Sequence, residues 1–105
     1  MDNVEFVSFL KGTLIKIENV INLLDQDSPK HIPAYNKMLG VQQKLNGLNT
    51  YYKAKISFQL ILVRSIINYL INGRYNDGFN QILKLKQELV KMCVKIKSYE
   101  RNTNK

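Results

Sequence analysis

Three stretches of this chain place apolar residues at steps of three and four. The first holds Val7, Leu10, Leu14, Ile17, Ile21 and Leu24. The second holds Tyr35, Met38, Val41, Leu45, Leu48 and Tyr52, and the third holds Ile82, Leu85, Leu89, Met92, Ile96 and Tyr99. That rhythm follows the turn of an α-helix and conflicts with the two-residue alternation of a half-buried strand. A fourth stretch, residues 56–71, is apolar at eleven of its sixteen positions, on more than one face. A helix apolar nearly all round is buried between neighbours or in an oligomer contact. Ser57, Gln59, Arg64, Ser65 and Asn68 interrupt this stretch. It is also shorter than the about 20 mostly apolar residues that a membrane span needs.

Local signals set the helix boundaries. Asp2 and Glu5 have the spacing of a capping box, in which side chains satisfy free N–H groups at a helix start. The segment 25–33 carries Pro29 and Pro33, with Asp25 and Asp27, and ends one helix before another begins. Ser28-Pro29 has the form of a cap and first-turn proline, and Pro33 is an alternative start. Gly40 and Gly47 weaken the next helix, and Gly47 followed by Asn49-Thr50 reads as a stop and a new cap. The alternative is one kinked helix through this region. Asn72-Gly73 marks the next stop. The expectation is four helices at about 3–25, 33–48, 51–71 and 76–101, in an all-α, up-down-up-down four-helix bundle. One domain covers 1–105, with a frayed polar tail at 100–105. Phe6, Val20 and Leu23 widen the first stripe, while Phe9 falls outside it.

The net charge of +8 is unevenly distributed. Residues 1–27 hold two lysines against five acids, and residues 28–105 hold fourteen basic residues against three acids. A basic body points to an anionic partner. A competing reading is compositional: Asn, Lys and Ile supply 36 of 105 residues, a bias that AT-rich codons impose. Cys93 is the one cysteine, so no intramolecular disulfide can form. The opening Met1-Asp2-Asn3-Val4-Glu5 lacks the basic region of a secretory leader. The expected setting is the reducing cytoplasm, and a membrane surface is not an expected partner.

Chemical motifs are sparse. His31 and Cys93 are the only soft metal ligands, one expected in a loop and the other beside the stripe position Met92. No nucleophile, base and orienting group fall together, and no phosphate-cradling glycine loop is present. Catalytic, metal and cofactor roles are therefore assigned to no residue, and the chain is not expected to be an enzyme. Arg64, amid Leu60, Ile61, Leu62, Val63, Ile66 and Ile67, must snorkel, contact a partner, or pair in the interior with Glu18 or Glu88.

The candidate surface for an anionic partner comprises Lys84, Lys86, Lys91, Lys95 and Lys97 on the last helix, with Lys53 and Lys55 on the third. Arg64, Tyr51, Tyr52 and Tyr75 are the candidate anchors. The expected function is protein–protein interaction, of an adaptor, inhibitor or immunity type, or chaperone-like. It would work through the apolar surplus of the third helix and the lysine rim of the fourth. That surplus also allows a homodimer. The alternative is charge-driven nucleic-acid binding without sequence preference, in which lysines neutralise phosphates and tyrosines stack on bases. Such binding requires the lysines to merge into one positive surface.

Overall fold

The computed structural model describes the backbone of residues 1–103 and the side chains of residues 1–97. The described residues form five helices and no strand: α1 Asn3–Leu24, α2 His31–Asn46, α3 Thr50–Lys55, α4 Ser57–Ile71 and α5 Tyr75–Thr103. α1 packs on α2 and α5, α4 packs on α2 and α5, and α3 packs on α4. The body measures 50 × 26 × 17 Å. The 29 residues of α5 set its long dimension, because a helix of that length is about 43 Å long.

α1 begins as its sequence dictates. The Asp2 carboxylate accepts from the Glu5 N–H at 2.8 Å, satisfying one of the free donors of the first turn. Its stripe turns inward, and Phe6, Leu10, Ile17 and Val20 are fully buried. Thr13 is buried with them, its hydroxyl donating to the Phe9 carbonyl at 3.0 Å, so its polar atom is satisfied within the helix. Phe9 is partly buried, and the Lys44 ammonium of α2 lies 5.1 Å from its ring centre. α2 thus covers the residue that the first stripe leaves unexplained.

α2 starts at His31, earlier than the expected 33, with Lys30 as an N-cap that makes no side-chain hydrogen bond. Pro33 lies in the first turn, where its missing N–H has no helical partner to lose. The Ala34 N–H makes the first helical bond, to the Lys30 carbonyl. Ala34, Met38, Val41 and Leu45 form the fully buried face. α2 ends at Asn46. The Asn49 side chain accepts from the Tyr52 N–H at 3.1 Å, which starts α3 as a separate helix rather than a continuation.

The expected helix at 51–71 is two helices. The break is at Ile56 (φ −109°, ψ 20°), which closes α3 and opens α4. Its N–H reaches the Lys53 carbonyl, a tighter three-residue bond. Its side chain is fully buried, on the same face as Tyr52 and Gln59, so the core continues through the break. Val63 and Ile66 of α4 meet Ile82, Leu85 and Leu89 of α5 in that same core, all fully buried.

At the far end of α4, Gly73 takes a positive φ of 75°. The Arg74 N–H then bonds the Tyr69 carbonyl at 2.8 Å and the Gly73 N–H bonds the Leu70 carbonyl at 3.3 Å, a Schellman stop. Gly78 lets the start of α5 approach α4, for a Cβ there would stand 3.2 Å from Leu70 Cδ2. α5 runs to Thr103, past the expected 101, and the remainder of the expected tail lies outside the described residues. No helix is long and apolar enough to cross a membrane, among the described residues.

Candidate docking surface

Lys84, Glu88, Lys91 and Lys95 follow one another at steps of four, three and four, so they share one face of α5. The first of these lysines meets an aromatic ring of α4, and the last borders a pocket that an aromatic residue of α3 also lines. The Lys84 ammonium lies 5.6 Å from the Phe58 ring centre of α4. Lys95 lines a pocket with Tyr51 and Lys55 of α3. The Lys55 ammonium is in turn 4.6 Å from the Tyr51 ring centre, within cation–π range. Two features that are separate in the sequence, the basic stripe of α5 and the basic–aromatic spot of α3, therefore border one seam.

The outer face of α4 continues this seam. Phe58, Ile61, Arg64, Asn68 and Ile71 recur at steps of three and four, and all are exposed. Phe58 is 45% and Ile61 61% accessible, large values for apolar side chains one helical turn apart. Arg64 stands among them in solvent. The interior ion pair considered for it is not what the fold builds. Glu18 pairs with Lys86, and Glu88 pairs with Lys91 at 3.7 Å. Burying a guanidinium costs far more than leaving it at the edge of the helix with water.

The remaining predicted residues disperse. Lys86 faces α1 through its pair with Glu18. Lys97 lies by Val4, Val7, Ser8 and Lys11 on the α1 side. Lys53 is half-buried. Tyr52 is not an exposed anchor: it is 6% accessible, tilted on Phe6 at 4.6 Å between ring centres, and its hydroxyl donates to the Met1 carbonyl at 2.8 Å. Tyr75 stacks on His31 with ring centres 3.5 Å apart and planes 11° from parallel. His31 accordingly opens α2 and is not a loop residue, and its Nδ1 is buried without a hydrogen-bond partner. Tyr99 and Arg101 lie outside the described side chains.

The His31–Tyr75 stack and the Lys84–Phe58 contact leave no trace in the sequence pattern, because each joins segments distant along the chain. The Tyr51–Lys55 contact is within reach of sequence reasoning, being an (i, i+4) pair. Gln59 interrupts the apolar stretch in sequence, yet it is buried, and its Oε1 has no partner.

Burial pushes the Cys93 thiol up from its ordinary range, against the opposing charges of Lys11 and Lys97. A reactive cysteine needs the opposite shift. Among the described residues, no three His, Cys, Asp or Glu side chains gather to hold a metal ion. The chain matches no protein-family model, no curated protein and no solved structure.

Proposed function

We propose that this chain is a non-enzymatic, cytoplasmic protein-interaction module, of an adaptor, inhibitor or chaperone-like kind. Its third helix, divided into α3 and α4, would complete an up-down-up-down bundle with α1, α2 and α5. The partner is a protein segment with an apolar face and acidic flanks, docked along the α4–α5 seam. The observation that carries this reading is the ammonium of Lys84 over the ring of exposed Phe58, with Ile61 one turn away. Apolar anchors and a cationic rim then belong to one surface, the arrangement by which a helix face recognises an amphipathic segment. Arg64 and Tyr51 extend the same surface, and a second copy of the chain is one protein able to use it.

Nucleic-acid binding is the second reading, favoured by exposed Tyr51 under Lys55. Against it, Glu88 interrupts the lysine face and pairs with Lys91, while Lys86 is directed to Glu18.

The test is a selection of displayed amphipathic helical peptides on the whole protein, with labelled DNA and RNA titrated in parallel at about 50 and 200 mM salt. Enrichment of acidic peptides that bind wild type but not Phe58→Ala or Ile61→Lys supports the docking reading. Nucleic-acid binding that weakens steeply with salt and with Lys84→Gln, Lys91→Gln and Lys95→Gln replaces it.

A further inference from the structure

The half-open pocket at the meeting of α1, α3 and α5 has a volume of about 500 Å³, within the roughly 300–1,000 Å³ typical of small-molecule sites. Its walls are sorted by chemistry. Phe6, fully buried, lies innermost; Met92 and Ile96 are half-buried; Tyr51, 64% accessible, forms the lip. Lys55 and Lys95 supply two exposed ammonium groups, and Asn3 supplies an amide. Among the described residues no carboxylate lines the pocket, and neither lysine makes an ion pair. Two ammonium groups that make no ion pair with the described residues, beside an apolar pocket, complement an apolar body ending in an anion.

We infer that this pocket binds a free medium-chain carboxylic acid, with its chain against Met92, Ile96 and the Tyr51 ring and its carboxylate between Lys55 and Lys95. The pocket shares Tyr51, Lys55 and Lys95 with the border of the docking surface but needs none of Phe58, Ile61 or Lys84, so variants at those three separate the two readings. Charge complementarity selects an acid over an amine or an alcohol. The apolar walls select a hydrocarbon chain over a bare anion such as acetate.

Sodium decanoate is titrated into the whole protein, with the methionine methyl signals followed by NMR. Decanoate should saturate a single site and shift the Met92 methyl, leaving that of fully buried Met38 in place. Lys55→Gln and Lys95→Gln should each weaken binding by about tenfold, the effect of losing one charge-assisted contact. Lys30→Gln, in the exposed connection before α2, should leave the affinity unchanged. Equal binding of decyltrimethylammonium, which has the same chain and the opposite charge, overturns the inference. So does a decanoate affinity indifferent to both pocket lysines. Tighter binding of a peptide ending in a leucine carboxylate overturns the assignment to a free acid.

Discussion

The Tyr52 hydroxyl donates to the Met1 carbonyl across 2.8 Å, which ties the chain ahead of α1 to the short helix α3. The same ring rests on Phe6, so one side chain both fills the core edge and satisfies a backbone acceptor. Replacing Tyr52 with Phe keeps the packing and removes the hydrogen bond. The expected loss is about 1 kcal/mol. It should appear as a lower urea midpoint at unchanged slope.

Two exposed glycines should respond oppositely to alanine. Gly40 lies within α2, and a methyl group added there would meet nothing within 4 Å, so Gly40→Ala should stabilise by about 0.5–1 kcal/mol. Gly73 holds a φ of 75° at the stop of α4, where a Cβ is strained, so Gly73→Ala should destabilise by about 1 kcal/mol. Thermal melts of the two variants, run together, give the comparison.

The raised thiol of Cys93 carries a pH signature. In the unfolded chain the thiol ionises at its ordinary value, while in the folded chain burial holds it protonated to higher pH. The unfolded state therefore sheds its proton first. Stability from this group is complete below the ordinary thiol value and declines as pH rises toward the folded value. Denaturation midpoints measured on the alkaline side should fall more for wild type than for Cys93→Ala. Slow alkylation of the native thiol at neutral pH, and fast alkylation in denaturant, is the companion result.

Glu18 and Lys86 join α1 to α5 with both side chains 42% accessible. A pair so exposed contributes little, and a double-mutant cycle with Glu18→Gln and Lys86→Gln should give a coupling below about 1 kcal/mol that shrinks with salt. A larger, salt-resistant coupling would mark the pair as shielded from water.

The helices are legible where a local chemical signal marks them. Asp2 with Glu5 marks the start of α1, Gly47 with Asn49 separates α2 from α3, and Asn72-Gly73 stops α4. The break at Ile56 carries no such signal. Neither proline nor glycine stands there, and Tyr52, Ile56, Gln59 and Val63 keep helical spacing straight through it, so the pattern reads as one helix. α2 likewise begins at Lys30-His31, with no capping side chain to announce it. In the candidate surface, spacing alone reveals the shared face of Lys84, Lys91 and Lys95. It does not reveal that Lys84 meets Phe58, or that Lys95 and Lys55 line one pocket, since these depend on how α5 packs on earlier helices. The same limit hides the partner of Glu18, because helical periodicity ranks faces and not neighbours.

Leu48 and Ile56 are both buried and bracket α3. The segment that carries Tyr51 and Lys55 is thereby a short bar pinned at each end. Adding or deleting a residue between the pins would step the pocket's lip along the helix axis by about 1.5 Å and rotate it by about 100°. Selectivity at this pocket would then diversify among descendants of this chain in jumps, through changes in length, while the core around both pins stayed the same.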